Sequence, residues 1–322
     1  MSEERAKATT PFFSITISVW NRRNEIKRCL DSVFSQDFQD YEVIAVDDAS
    51  DDDSVAVMKQ YTDARLRIIE QPENLGMTAA LQRATKEARG QWCLKLDSDW
   101  ALMPGALRRL AEMAKQAAPD IGVIGGCART DKGEIWPATQ PPIEPFGFAE
   151  FLRWVEISPT DFLACRRKAV FEKVEYPTSR GSSWYVNICV VRNWRMWVTR
   201  EVLAVAYTNS PNRVRNGTSP DILSKKYQIA LDRAELNKKV LTSFGEEIRR
   251  ASPRYYANLL WFTCRQYFRA GRRADGLRFG VKVLLRRPWW LKVWGGMLVG
   301  VLGFTEIHPP ASNEQQFTRF HS

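Results

Sequence analysis

The feature that most constrains the fold is a repeated alternation of short apolar runs with helical segments in the first 125 residues. Five runs combine β-branched, aliphatic and aromatic residues, as buried strands of parallel sheets do. These runs are residues 14–20, 41–46, 66–70, 92–96 and 121–125. Segments with a helical spacing of apolar residues lie between them. The alternation predicts right-handed βαβ units in a doubly wound α/β sheet.

Acidic residues follow two of the predicted strands directly. Asp47 and Asp48 come after the second strand. Asp97 and Asp99 come after the fourth. Because ligands of open α/β sheets bind beyond the carboxyl ends of the strands, we expect both pairs at one ligand-binding edge. A plainer alternative, in which these acids only shape turns and cap the following helices, stays open.

Asp97 and Asp99 have the chemistry of a metal site. Their spacing places both carboxylates on one side of a short turn, close enough to share one hard cation. Mg²⁺ and Mn²⁺ are commonly bound by carboxylates together with nucleotide phosphate oxygens. The sequence contains neither of the glycine-rich loops that hold phosphates through backbone amides. We therefore predict that Mg²⁺ or Mn²⁺ at this pair would bind a diphosphate.

The small number of histidines excludes several classes of enzyme. His308 and His321 both lie near the C-terminus, so the main body has no histidine for a Ser-His hydrolase, a zinc site or a histidine base. Acid–base catalysis would have to use carboxylates. The six cysteines are far apart and form no C-x-x-C pair, which predicts reduced thiols.

Positive charge is concentrated near the C-terminus. The chain has a formal net charge of +10, and residues 254–292 contain ten Lys or Arg against one acid, Asp275. This asymmetry predicts a phosphate-rich partner, either an anionic membrane surface or a nucleic acid. We do not expect nucleic acid, because the aromatic residues there cluster with aliphatic ones instead of interleaving as a stacking platform.

Neither a signal peptide nor a membrane-spanning helix is expected. The first ten residues are polar and charged, unlike a signal peptide. No uninterrupted apolar run reaches the roughly 18–20 residues of a spanning helix. The sequence therefore predicts a cytoplasmic protein.

Residues 13–125 resemble the nucleotide-sugar-binding half of an inverting family 2 glycosyltransferase with the GT-A fold. The resemblance rests on five short motifs in the order and spacing of the family, which are weak singly and specific together. They are Ser18-Val-Trp-Asn21, Ser32-Val-Phe-Ser-Gln36, Val46-Asp-Asp-Ala-Ser50, Asn74-Leu-Gly76 and Leu96-Asp-Ser-Asp99. The resemblance implies a Rossmann-like α/β sheet and sugar transfer from a nucleoside-diphosphate sugar.

The same resemblance implies roles for the residues at the strand ends. Ser18 and Trp20, with Asn21 in the same motif, would line the pocket for the base and ribose. Asp48 would hydrogen-bond a pyrimidine ring, and Asp47 would support its loop. The family more often has Tyr at the position of Trp20, so a phenol hydroxyl is missing here. A core position for Trp20 stays open as an alternative.

Asp97 and Asp99 match the D-x-D pair of the family. The resemblance implies that they contact the ribose and a Mg²⁺ or Mn²⁺ ion bound to the diphosphate. Arg213 and Arg215 lie in a loop that in the family meets the diphosphate or an anionic acceptor. The alternative, that they are solvated loop arginines, stays open.

The catalytic base is where this sequence departs from the family. The family usually has an acidic pair that supplies the base, yet residues 180–187 in the corresponding region contain no acid. An inverting transferase needs a base to take the proton of the acceptor hydroxyl. Asp161 is the first candidate and Glu175 the second. The alternative, that Asp161 is an ordinary loop or cap acid, stays open.

The composition divides the chain into two predicted parts. Residues 1–218 would form the GT-A catalytic domain, and residues 219–322 a basic helical module. Residues 289–304 are apolar but contain Lys292 and several glycines, which favours an interfacial helix over a spanning one. The module would then dock on anionic lipid, and an ordinary helical bundle is the open alternative.

Together these patterns predict a metal-dependent inverting glycosyltransferase that uses a UDP- or dTDP-sugar. Its acceptor would be a hydroxyl of a saccharide or of a lipid-linked intermediate in polysaccharide or cell-envelope synthesis. The enzyme would be cytoplasmic and peripheral at the inner face of the cell membrane. A nucleotidyltransferase acting on sugar phosphates and a non-catalytic nucleotide-sugar-binding scaffold stay open as alternatives.

Overall fold

The computed structural model describes residues 10–157, 161–174, 183–209, 226–286 and 289–302. Within these residues the chain forms one mixed sheet with helices around and after it. The strands are β1 (Phe13–Val19), β2 (Tyr41–Asp47), β3 (Leu66–Glu70), β4 (Trp92–Lys95), β5 (Trp100–Leu102), β6 (Ile121–Thr130), β7 (Ile135–Trp136), β8 (Leu163–Arg167) and β9 (Arg195–Ala206). The helices are α1 (Ile26–Phe34), α2 (Ser54–Met58), α3 (Met77–Glu87), α4 (Ala106–Gln116), α5 (Phe148–Ile157), α6 (Ser183–Asn193), α7 (Lys226–Ala251), α8 (Pro253–Arg269), α9 (Arg273–Leu284) and α10 (Leu291–Leu302).

The first half of the sheet follows the predicted α/β pattern. β3, β2, β1 and β4 lie side by side and run parallel. β1 and β2 are buried along nearly their whole length, because helices cover both faces of the sheet. On one face α1 buries Ile26, Leu30 and Val33, and on the other α3 packs Ala80 and Ala84 against β2. The four parallel strands therefore end at one common edge.

The second half of the sheet corrects the doubly wound expectation. The strand order continues β8, β6, β9, β5, and β8 is antiparallel to both of its neighbours. The connection explains this direction. Phe146 pairs with Met196 at the start of β9, and α5 then returns the chain to the edge where β4 ends. β8 has to begin at that edge and run back, so the α/β class is confirmed but the sheet is mixed.

Two further elements differ from the sequence-based expectation. Alternating apolar and polar residues over 194–206 indicate more than one strand, whereas β9 is one strand that pairs with β6 through register shifts. The short strand β5 pairs with the end of β9 and was not predicted. Both differences arise because strand pairing with β6 and β9 is a tertiary interaction that local sequence does not record.

The C-terminal helices pack onto the sheet domain. Val240 and Ile248 of α7 and Leu259 of α8 share a hydrophobic cluster with Phe151 and Leu152 of α5. The predicted domain boundary after residue 218 lies outside the described residues and stays a prediction. Among the helices that the structure describes, none combines the length and the hydropathy needed to cross a membrane.

Candidate active site

The ends of β1, β2 and β4 meet at one edge of the sheet. Val19 is paired with Asp47, and the backbone N–H of Asp48 donates to the Val19 carbonyl at 2.8 Å. On the other side of β1, the N–H of Leu96 donates to the Thr16 carbonyl at 3.0 Å. Both acidic pairs therefore follow strands that flank β1 and lie at the same edge, as the sequence predicts.

The Asp97–Asp99 loop is fixed by backbone hydrogen bonds on both sides. The Trp100 N–H donates to the Asp97 carbonyl at 2.9 Å, which closes the turn. The Tyr207 N–H donates to the Asp99 carbonyl at 3.1 Å, which ties the turn to the end of β9. The alternative of a helix cap is wrong for this pair, because the residue before α4 is Gly105 in a left-handed conformation.

Lys95 accompanies the acidic pair and was not singled out from the sequence. Its Nζ lies 2.7 Å from Oδ1 of Asp97 in an ion pair, without the alignment of a hydrogen bond. The Asp97 side chain is 31% exposed, whereas Asp99 is buried. A lysine inside an otherwise apolar strand is the signal that could have identified it. The ion pair orients one carboxylate and offsets part of the negative charge of the pair.

The carboxylates of this loop fit a metal site in which the substrate supplies the remaining ligands. The described part of the chain contains no group of three His, Cys, Asp or Glu side chains able to hold an ion by itself. Asp97 and Asp99 supply two hard carboxylate oxygens. Mg²⁺ in particular is usually bound by one or two carboxylates together with substrate phosphates. The two aspartates therefore fit a divalent cation that arrives with a diphosphate.

Asp48 holds the loop that carries the Asn-Leu-Gly motif. Its Oδ1 accepts hydrogen bonds from Gln71 Nε2 at 2.6 Å and from the Leu75 N–H at 2.8 Å. Its Oδ2 accepts from the N–H of Gly76 at 2.7 Å. Gly76 has φ of +94°, a conformation that favours glycine, and it precedes α3. Asp48 thus holds the loop of Leu75 and Gly76 in position beside the site. Its contact with a pyrimidine ring stays a prediction.

Asp47 and Asn21 shape the two loops beside β1. Asp47 accepts hydrogen bonds from the N–H and the hydroxyl of Ser50, at 2.9 and 2.5 Å. The Ser50 hydroxyl accepts in turn from the N–H of Asn21 at 2.9 Å. Asn21 and Ala49 both have positive φ, near +52° and +56°. Asp47 therefore closes a turn that is locked to the β1 loop and supports its neighbour Asp48.

Ser18 and Trp20 lie at the end of β1 and are half-buried. Continuing the register of Thr16 with Lys95 brings Ser18 level with Asp97. Trp20 belongs to none of the hydrophobic clusters formed by the described residues. Trp20 therefore lies outside the described hydrophobic clusters, and its contact with the base or ribose stays a prediction.

Asp161 lies at the same edge as the D-x-D pair. It is half-buried and precedes β8, whose Cys165 is paired with Leu94. Because β8 is antiparallel to β4, it begins at the edge where β4 ends, and Asp161 lies two residues before its first residue, Leu163. The other candidates, Glu175, Arg213 and Arg215, fall outside the described residues.

Helix α1 contributes two residues next to the loop that sequence reasoning missed. The Arg28 guanidinium lies 3.4 Å from the ring centroid of Tyr207. The Cys29 thiol lies 3.8 Å from the Asp97 carbonyl. Burial, together with the negative charges of Asp99 and Asp97, raises the pKa of the Cys29 thiol, so it stays neutral. Neither residue belongs to a motif, and only the fold brings them to the site.

Comparison with known proteins agrees with this arrangement. The sequence matches the family described as Glycosyl transferase family 2 over residues 14–174. A succinoglycan biosynthesis protein, ExoO of Rhizobium meliloti (strain 1021), is 34% identical over 113 residues, which are 35% of this chain and 32% of that protein. The GalNAc(5)-diNAcBac-PP-undecaprenol beta-1,3-glucosyltransferase of Campylobacter jejuni is 28% identical over 167 residues, 51% of each chain. The chain thus spans a third to half of the length of these curated relatives.

Solved structures with a similar fold cover more of the chain. S. aureus TarS 1-349 in complex with UDP-GlcNAc has a TM-score of 0.57 and 18% identity, over 86% of this chain and 92% of that one. The mannosyltransferase PcManGT of Pyrobaculum calidifontis, solved with GDP-Man and Mn²⁺, has a TM-score of 0.55 and 19% identity, over 92% of this chain and 86% of that one. These similarities confirm the expected GT-A fold. Because the family match covers half of the 322 residues, the chain belongs to glycosyl transferase family 2.

Proposed function

We propose that the chain is an inverting glycosyltransferase that moves a sugar from a UDP- or dTDP-sugar to a hydroxyl of a saccharide or lipid-linked acceptor. The observation that supports this most is the meeting of the Asp97–Asp99 loop, the β1 end and the Asp48 loop at one sheet edge. The TarS complex with UDP-GlcNAc supports a uridine donor. The name of the Campylobacter relative supports a lipid-linked acceptor.

Asp97 and Asp99 would hold Mg²⁺ or Mn²⁺. Such an ion, when bound, neutralises charge on the departing diphosphate. Lys95 keeps the Asp97 carboxylate in place through their ion pair. The aromatic ring of Trp20 and the hydroxyl of Ser18 would contact the base and ribose, while Asp48 keeps the neighbouring loop in position.

Asp161 is the proposed base, and Glu175 is the second candidate. The Asp161 carboxylate would accept the proton of the acceptor hydroxyl. The freed oxygen then bonds to the anomeric carbon from the side opposite the diphosphate. The bond from that carbon to the diphosphate oxygen breaks, and its electron pair leaves with the nucleoside diphosphate. The configuration at the anomeric carbon is thereby inverted.

Product analysis tests the proposal. The purified chain is incubated with UDP-glucose, UDP-GlcNAc or dTDP-glucose, an acceptor extract and Mn²⁺, and free nucleoside diphosphate is measured. We expect UDP or dTDP release that Asp99→Asn abolishes. Asp40→Asn is the matched control, because Asp40 directly precedes β2 and so lies at the opposite edge of the sheet. Release of pyrophosphate would instead favour a nucleotidyltransferase, and donor binding without turnover would favour a scaffold.

A further inference from the structure

Large exposed apolar side chains concentrate on the last two described helices. Leu285 and Trp289 are each 77% exposed, and Leu298 is 63% exposed. The apolar face, as we name it, consists of Val281, Leu285, Trp289, Trp294, Leu298 and Val301. Many large exposed apolar side chains within one short stretch of the chain indicate an interaction site.

Two glycines of helix α10 pack closely against α8. Gly300 lies so close to Phe268 that an added Cβ would be 2.5 Å from the ring Cγ. Gly296 approaches Trp261 in the same way, at 2.3 Å. Trp294, by contrast, is 54% exposed. An amphipathic helix that only packs on a bundle turns its bulky residues toward the core. Val293 and Met297 of α10 do pack toward the bundle, but Trp294 and Leu298 lie on the outer side.

The outer side of α10 carries one continuous stripe. Trp294, Leu298 and Val301 are spaced four and three residues apart, which places them on one side of the helix. Helix α9 adds Val281 and Leu285, also four residues apart. Each of the two helices thus presents exposed apolar side chains on one of its sides.

Cations flank the apolar face along α9. Arg278, Lys282 and Arg286 follow at intervals of four residues, so they share a side of the helix with Val281 and Leu285. The Arg278 side chain is 81% exposed and forms an ion pair with Asp275 at 3.9 Å. Apolar side chains interleaved with cations match the chemistry of an anionic lipid surface.

We infer that α9 and α10 form a docking face for an anionic lipid bilayer. α10 has 12 residues and is about 18 Å long, shorter than the roughly 30 Å hydrocarbon core. The helix therefore lies in the plane of the interface, with Trp289 and Trp294 at the level of the headgroups. The cations of α9 contact the lipid phosphates. This inference stands independently of the sugar-transfer proposal.

Vesicle co-sedimentation of the full chain tests the inference. We expect binding to vesicles of phosphatidylcholine with phosphatidylglycerol, and little binding to phosphatidylcholine alone. Trp294→Ser with Leu298→Ser should lower the partition coefficient at least about tenfold. Arg278→Glu with Lys282→Glu should lower it on the order of tenfold and reduce its dependence on salt.

Matched controls replace exposed residues away from this face. Ile143→Ser with Tyr227→Ser removes two apolar side chains that are 66% and 53% exposed, and it should leave vesicle binding unchanged. Lys115→Glu is the corresponding charge control on α4. All substituted side chains are exposed, so the thermal unfolding temperature of each variant should match that of the wild type.

Three results would overturn the inference. The first is wild-type binding by the Trp294→Ser, Leu298→Ser variant. The second is equal binding to neutral and anionic vesicles. The third is a dimer in lipid-free sedimentation that this variant converts to a monomer, because the face would then belong to a second copy of the chain.

Discussion

Asp161 is the proposed base and precedes β8 at the edge of the sheet where β4 ends. Asp161→Asn keeps the side-chain shape but removes the proton acceptor. We expect kcat to fall about 10²- to 10⁴-fold. KM for the donor should stay near the wild-type value, because the proposed donor-binding residues follow other strands. Steady-state release of the nucleoside diphosphate is the measurement.

A pH series separates a base from a merely structural acid. The acid limb of the wild-type pH–rate profile should be lost in Asp161→Asn. Asp40→Asn should keep the wild-type profile, since it directly precedes β2 and so lies at the opposite edge. If Asp161→Asn turns over at the wild-type rate, the base lies elsewhere and Glu175 is the next residue to replace.

Glu42 shows how a single buried carboxylate contributes to stability. Burial raises its pKa, but hydrogen bonds from the Ser14 hydroxyl and from the backbone and side chain of Arg89 outweigh this, so the net pKa is lowered. With a lowered folded-state pKa, the stabilisation is complete above the unfolded-state pKa of about 4.3. It is lost as the pH falls through the folded-state pKa.

Glu42→Gln should lower the free energy of unfolding at pH 7 by about 1–3 kcal/mol, because hydrogen bonds to a charged group are lost. The difference from wild type should shrink below about pH 4, where the wild-type carboxylate also becomes protonated. Urea unfolding at both pH values measures this. Glu73→Gln in an exposed loop is the control, and an equal effect of both substitutions would contradict the prediction.

At the scale of elements, the seating of α10 depends on Gly300. An added Cβ at Gly300 would clash with the ring of Phe268. This ring cannot easily move away, because Gly276 of α9 also packs closely against it. Gly300→Ala should therefore destabilise the protein by about 1–3 kcal/mol through overpacking. Gly295→Ala is a matched control on the same helix, because a Cβ there meets nothing within 4 Å.

Gly295→Ala should be neutral or stabilising, since Ala favours a helix over Gly by about 1 kcal/mol. Thermal and urea unfolding of the two variants, measured side by side, provide the comparison. Equal stability of the two variants would show that α10 is not seated against Phe268 as described.

Elements that local sequence could predict share a clear periodic or continuous apolar signal. β1 and β2 are continuous apolar runs because both faces of the sheet are covered. α8 has Ser252 as its N-cap, which accepts a hydrogen bond from the Tyr255 N–H at 3.0 Å. α6 carries no such signal, since its segment is rich in β-branched residues and is helical through burial of Val186 and Val190.

For the whole molecule, the shared core between the sheet domain and the helical module predicts one cooperative unit. Ile248 of α7 is fully buried in the cluster with Phe151 and Leu152 of α5. Ile248→Ala should lower the free energy of unfolding by about 2–5 kcal/mol. The midpoints of urea unfolding, measured by tryptophan fluorescence and by circular dichroism, should shift together.

Two separate transitions would contradict this expectation, because they would show that residues 226–302 unfold independently of the sheet. Val281→Ala is a useful comparison from the same helical region. Its side chain is 48% exposed, so this substitution should lower the free energy of unfolding much less than Ile248→Ala does.

The sequence by itself determined the α/β class, the positions of the first four parallel strands and the placement of both acidic pairs after strand ends. These follow from local periodicity and from the rule that parallel strands share a carboxyl edge. Only the tertiary structure decided the antiparallel direction of β8, and with it the position of Asp161 at the edge where β4 ends. It also decided which side of α10 faces outward. Strand direction and helix orientation depend on contacts between residues far apart in the chain, and local sequence does not encode those contacts.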